Sequence, residues 1–191
     1  MALSRSEQMA RIKGKNTTPE RKLRSALWRA GLRYRLHTRT PVGKPDVVFA
    51  TKRVAVFIDG CFWHGCPDHY VRPRSHEFFW RQKLRENIER DRRQTLELES
   101  LGWRVVRIWE HEAIEATAHM VSRVQSALIT PHWKPQMDWR VILVESVDEA
   151  TKWERRSLVP LRAEQPLRQT VGRRVTAKWQ RTGVALELSN E

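Results

Sequence analysis

Apolar positions near the start of the chain recur at helical spacing. Leu23, Leu27 and Ala30 share one face behind a Thr18-Pro19-Glu20 start, and Gly31 ends the run, which predicts an amphipathic helix. Two stretches rich in Val and Phe follow, Asp46 to Phe49 and Arg53 to Ile58. The short polar turn around Thr51 and Lys52 between them predicts a hairpin. From Asp59 to Ser75 the periodicity vanishes and Gly, Pro, Cys and His dominate, so a loop is expected, held by something other than packing. A long helix is predicted from about His76 to Ser100, with Phe79, Lys83, Asn87 and Asp91 in one row at i, i+4 spacing. After the turn at Gly102, Trp103 to Trp109 reads as a strand and Glu112 to Leu128 as a closing helix. The expected order is α, β, β, loop, α, β, α.

Beyond Pro131 the pattern changes. It offers one strand at Trp139 to Val144, prolines at 160 and 166, and a basic stretch from Arg168 to Arg181. A boundary is expected near residue 130, between a domain of residues 1–130 and a C-terminal extension, 131–191. No repeat, heptad or low-complexity tract interrupts the chain. Met1 to Lys15 is polar and charged, and the longest apolar run, Val54 to Ile58, is too short to span a bilayer. A cytoplasmic protein is the expectation.

Composition narrows the partner. Lys and Arg number 36 against 22 Asp and Glu, a formal net charge of +14, which fits a polyanion because neutralising phosphates releases condensed counterions. A ribosome-associated or merely basic protein would share this charge, so chemistry must decide. The two cysteines, Cys61 and Cys66, lie close together, where a metal site is favoured over a lone short-loop disulfide in a reducing compartment.

The segment Gly43-Lys44-Pro45-Asp46-Val47-Val48 puts a carboxylate at a strand start beside a second strand. Phosphodiester cleavage needs charge neutralised on the nonbridging and leaving oxygens, which Mg²⁺ supplies when a carboxylate anchors it. Alone, a Pro-Asp pair is weak evidence, and a solvated turn is the better reading of it. The loop adds Asp59-Gly60-Cys61-Phe62-Trp63-His64-Gly65-Cys66-Pro67-Asp68-His69, and the long helix adds Asn87 to Arg93.

Over residues 4 to 128 these motifs resemble the very-short-patch-repair (Vsr) endonucleases, bacterial enzymes that nick one strand at T:G mismatches. The likeness includes Ser6 through Met9 to Ile12, the Thr17 to Glu20 start, Gly43 to Asp46, Gly60 to His64, Asn87 to Arg93, and Gly102 to Val105 leading to Trp109-Glu110. It implies an α/β fold of restriction-endonuclease (PD-(D/E)xK) type, a central mixed sheet flanked by helices with a zinc-stabilised loop, acting on double-stranded DNA near the nucleoid. By the same resemblance Asp46 anchors Mg²⁺ together with the main-chain carbonyl of Ile58, His64 is the general base, Asp91 orients it, and Glu20 lies close by. On the residues alone, Glu20 also reads as a surface carboxylate and Asp91 as a helix-face ion pair.

Best-known members carry Thr-His where this chain has Ile58-Asp59. Asp59 therefore reads as a second metal ligand or as a cap on the loop. For zinc, the spacing of Cys61, Cys66 and His69 suits a tetrahedral site, and the resemblance supplies His111 as fourth ligand, with Asp68 and His76 competing for one place. The resemblance also implies that Phe62, Trp63 and Trp80 wedge into DNA beside the mismatch, where core packing is the alternative. Lys83, one turn after Trp80, is a phosphate or mispair contact, or simply solvated.

Three readings follow: an endonuclease nicking at T:G mismatches, a restriction or defence nuclease of the same fold with another substrate, and a zinc-stabilised DNA-binding module without catalysis. Residues 131–191 are expected to extend the DNA footprint or to dock a protein partner.

Overall fold

Thr17 starts the first helix by accepting the Glu20 N–H at 3.5 Å, while Glu20 answers through the Thr17 hydroxyl at 3.0 Å and the Asn16 N–H at 2.9 Å. In the computed structural model, which describes residues 14–36, 38–148, 150, 152–163, 167–174 and 187–188, this helix is α1 (Thr18–Arg29). The motif from Ser6 to Ile12 and the part of the basic stretch after Arg174 lie outside the described residues. Strands β1 (Arg35–Leu36), β2 (Val47–Phe49) and β3 (Val54–Asp59) come next, and a 3-10 turn, Ala50–Lys52, joins the last two. Then come α2 (Glu77–Ser100), β4 (Arg104–Trp109), α3 (Glu110–Glu115) and α4 (Thr117–Ile129).

The first sheet has the order β1-β2-β3-β4, antiparallel except for the parallel pair β3 and β4. This is the expected α/β arrangement with a mixed sheet. Leu23 and Leu27 of α1 and Met120 and Val124 of α4 cover one face, burying Val47, Val54, Val56, Val106 and Ile108. The parallel register sets Ile58 beside Ile108 and Asp59 beside Trp109, so the motif-bearing ends of both strands emerge at one edge.

Two departures from the sequence expectation concern helices and short strands. The closing helix is two helices, because it begins directly after Trp109, whose N–H is accepted by Glu112 at 2.9 Å, and breaks at Ala116. The exposed pair Arg35–Leu36 is too short to leave a pattern, yet it pairs with β2.

The C-terminal segment is richer than one strand. Among the described residues, β5 (Trp139–Asp148), β6 (Trp153–Pro160), β7 (Gln169–Arg174) and β8 (Glu187–Leu188) form an antiparallel sheet in that order. Its Val141, Val144, Leu158 and Val159 bury Leu84 and Ile88 of α2 and Tyr70 of the loop. Arg155 and Arg156 inside β6 hide its strand character from a hydropathy reading. At Gly65 the loop meets β5: Val141 N–H donates to the Gly65 carbonyl at 2.8 Å. Gly65 has φ +68°, and a Cβ there would fall 2.7 Å from the Val141 carbonyl oxygen.

Candidate active site and metal cluster

A cleft of about 820 Å³ opens at the shared end of β3 and β4, lined by Glu20, Asp46, Ile58, Asp59, Trp63, His64, Lys83, Asn87, Asp91 and Arg107 among others. Asp46 precedes β2, and its Oδ2 accepts the Ile58 N–H at 2.8 Å, which ties the carboxylate to β3. Burial pushes the Asp46 pKa up to about 6; the Ile58 hydrogen bond opposes this, and the charges of Glu20 and Asp59 add to it. Glu20 is buried, with Oε2 2.5 Å from Arg24 Nη2. It therefore serves the helix cap and an ion pair while contributing negative potential to the cleft.

Opposite Asp46, α2 grips the loop with two side chains one turn apart. Asn87 donates to the Trp63 carbonyl at 2.8 Å, and Asp91 Oδ2 lies 2.5 Å from His64 Nδ1. With Nδ1 held this way, Nε2 of the imidazole is left to handle a proton.

Asp59 does something the sequence did not reveal. It is 2 % exposed, receives Arg107 Nε and Nη2 in a fork at 2.7 Å each, and receives Arg140 Nη2 at 2.7 Å. Arg107 also reaches Asp91 at 3.0 Å. Burial would raise the Asp59 pKa, but Arg107, His64 and Arg140 together hold it well below the usual carboxylate range. Asp59, His64 and Asp91 lie close enough to form a metal cluster by distance alone. Guanidinium groups engage both carboxylates, so Asp59, Asp91, Arg107 and Arg140 form a charge-balanced network beside the imidazole.

On the other side of the loop, Cys61, Cys66, His69 and His111 bring ligand atoms within 4.8 Å of one another. His111 Nδ1 lies 3.2 Å from Cys61 Sγ and 3.8 Å from Cys66 Sγ, and His69 Nδ1 is 3.8 Å from Cys66 Sγ. A hydrogen bond from the Cys61 thiol lowers the Cys66 pKa to about 4, and the same contact raises that of Cys61. Two thiols and two imidazoles at these spacings fit a tetrahedral cation. Asp68 and His76 stand outside this cluster. Glu110 braces the loop by accepting the Cys61 N–H at 2.7 Å.

Phe62, Trp63 and Trp80 form one aromatic group, with ring centroids 5.2 to 5.9 Å apart. Phe62 also stacks on Tyr70 at 6.1 Å, at the margin of the second apolar cluster. Phe79, 58 % exposed, continues the group outward from Trp80, with ring centroids 5.2 Å apart. Lys83 Nζ pairs with Glu86 at 3.3 Å on the rim.

Residues 2–69 match the family model for the DNA mismatch endonuclease Vsr. The type II nicking enzyme V.NaeI of Lentzea aerocolonigenes is 49% identical over 116 residues, 58% of this chain and 70% of that protein. The DNA mismatch endonuclease Vsr of Escherichia coli is 38% identical over 108 residues, 56% of this chain and 69% of that protein. The chain belongs to the Vsr DNA mismatch endonuclease family. It is a DNA nicking endonuclease, and DNA is its substrate. Among solved structures, the catalytic domain of the homing endonuclease I-Bth0305I is similar with TM-score 0.43 and 21% identity, over 60% of this chain and 97% of that one. These Vsr-family relatives are bacterial, and among the described residues no helix is long and apolar enough to cross a membrane.

Sequence reasoning brought the family's Asp46, His64 and Asp91 to one cleft and its four Cys and His residues to one cluster, but it missed Arg107 and Arg140. Arg107 is a charge inside an apolar strand and Arg140 one at the start of another, and that was the available signal: a buried guanidinium needs a buried carboxylate.

Proposed function

We propose that this chain nicks one strand of duplex DNA by metal-assisted phosphodiester hydrolysis, as a restriction- or defence-associated member of the Vsr family. The observation that carries the chemistry is the His64–Asp91 pair at 2.5 Å, lining the same cleft as the Asp46 carboxylate. Asp46 and the Ile58 carbonyl are the groups that would hold Mg²⁺, and the raised pKa of Asp46 marks a site where added positive charge is welcome. When bound, the cation supplies charge neutralisation on the phosphate oxygens. His64 Nε2 takes the proton from the attacking water, and Asp91 keeps the ring oriented and supports the imidazolium that results. Lys83 on the rim meets the phosphate backbone, and the surplus of positive charge draws DNA in. Cys61, Cys66, His69 and His111 hold zinc as a structural ion, which fixes the loop bearing His64.

Greater identity to the type II nicking enzyme, 49% against 38% for the mismatch endonuclease, favours the restriction-associated setting. A second reading, nicking at T:G mismatches, is favoured by the partly buried Trp63 in the cleft lining and Trp80 packed against it. A mispaired step unstacks more cheaply by about 1–2 kcal/mol, which converts to roughly tenfold in rate. Strand-resolved cleavage of matched and T:G-containing duplexes in varied sequence contexts decides between them. Equal rates support the restriction-associated reading. A preference of about tenfold or more for T:G, flattened by Trp63→Ala with Trp80→Ala, establishes mismatch nicking. Double-strand breaks without a nicked intermediate would refute both.

The pH dependence follows from Asp46. Below its pKa of about 6 the carboxyl is protonated and a cation must displace the proton; above it the charge is in place. Mg²⁺ affinity of the DNA-free protein should therefore fall about tenfold per pH unit below 6 and level off above it. The folded pKa is raised, so Asp46 favours the metal-free fold below the unfolded value, and this contribution disappears as pH rises through 6. Calorimetric titration with Mg²⁺ at pH 5, 6, 7 and 8 checks the first statement. A flat affinity across that range contradicts it.

A further inference from the structure

One side chain carries the C-terminal sheet into the catalytic cleft's supporting network. Arg140, the second residue of β5, is 1 % exposed, and its guanidinium sits 4.0 Å from the Trp109 ring centroid while donating to Asp59 at 2.7 Å. Asp59 is shared with Arg107, Arg107 with Asp91, and Asp91 with His64. Two carboxylates face two guanidiniums, so the buried charge balances. The same sheet holds the loop on the far side of His64: Val141 N–H donates to the Gly65 carbonyl at 2.8 Å, and the Arg156 and Arg173 side chains donate to the Pro67 carbonyl at 3.1 and 2.9 Å.

We propose that Arg140 is a positioning residue for nicking, and that the sheet of residues 139–174 clamps the His64 loop so that the C-terminal segment is part of the catalytic apparatus. The proposal rests on the cleft being the nicking centre. Without Arg140, Asp59 keeps only the Arg107 fork and the His64 ring, whose Nδ1 lies 3.7 Å from Asp59 Oδ1. Arg107 is then drawn toward Asp59 and away from Asp91, and Asp91 loses the contact that fixes its carboxylate against the imidazole. Loss of fixed geometry at a general base costs rate while leaving DNA affinity nearly untouched, since a shift of about 1 Å can cost on the order of 10²-fold. The charge imbalance is the heart of the effect. Removing the Asp59 charge together with Arg140 leaves Arg107 and Asp91 as a balanced pair.

The test uses the full chain with Arg140→Met, Arg140→Lys and the double variant Asp59→Asn/Arg140→Met, reading kcat and KM on a nickable duplex alongside zinc content and near-UV circular dichroism. Arg140→Met should lose about 30-fold or more in kcat with KM within about 3-fold, zinc retained, and Arg140→Lys should lose less because a cation remains. The double variant should recover at least about 5-fold in kcat over Arg140→Met. A parental kcat for Arg140→Met overturns the proposal, and so does a double variant no better than Arg140→Met. Should Arg140→Met not fold, the double variant decides: it must fold and nick, and failure in either overturns the proposal. A parallel Asp46→Ala control separates the two claims. If that control still nicks, the cleft assignment falls, whereas an inactive control beside a fully active Arg140→Met rejects the clamp alone.

Discussion

Replacing Asp46 with alanine is expected to lower the nicking rate by about 10³-fold or more while DNA affinity stays within about threefold. The arithmetic is direct. Anchored cations supply several kcal/mol of transition-state charge stabilisation, and each 1.36 kcal/mol is about tenfold in rate. Asp46 holds its position through the Ile58 N–H, a main-chain contact from β3, so the strand survives the substitution and the loss falls on chemistry. Binding should not suffer, because one negative charge has left a cleft that receives phosphates. His64→Ala should cost about 10² to 10⁴-fold, the usual range for a general base, and Asp91→Asn less, since the imidazole remains. Single-turnover nicking with a parallel filter-binding measurement separates the two quantities. Undiminished nicking by Asp46→Ala in Mg²⁺ would remove the cation from that position.

Cys66→Ser is expected to empty the Cys and His cluster and to lower the melting temperature by roughly 10 °C. Structural zinc contributes directly to folding, and a loss of about 4 kcal/mol in a chain of this length corresponds to such a shift. The loop has little else to hold it from within. Its backbone hangs on Glu110, Asn87 and Val141, but between Cys61 and Tyr70 only Cys61, Cys66 and Tyr70 contribute buried apolar side chains. Since His64 lies between the two cysteines, nicking should be lost together with the fold of the loop and should not return on adding Mg²⁺. Metal analysis should find about one zinc per parental chain. A Cys66→Ser protein that melts at the parental temperature would show that packing alone shapes the loop.

The chain's own pattern determined the helix at Thr18–Arg29, the pairing of Val47–Phe49 with Val54–Asp59, the long helix Glu77–Ser100 and the strand Arg104–Trp109, because helical spacing and continuous β-branched runs are signals carried by neighbouring residues. Motif chemistry likewise marked Asp46, His64 and Asp91, which share one cleft, and Cys61, Cys66, His69 and His111, which share one cluster. What the pattern could not show was Asp59 facing Arg107 and Arg140, 48 and 81 residues away in sequence. A hydropathy reading treats a charge as a surface residue, and only the parallel pairing of β3 with β4 and the docking of β5 on the loop bring Asp59, Arg107 and Arg140 together with Asp91 as a buried, balanced group. Beyond β5, strands β6 and β7 stayed hidden for a related reason: Arg155, Arg156 and Arg173 break the alternation that a strand shows when one face meets solvent, and two of them, Arg156 and Arg173, point at loop carbonyls that the sequence places more than 80 residues upstream. Local periodicity fixes which elements form; which charges share a low-dielectric interior depends on contacts between elements distant in sequence, and these exist only in the folded chain.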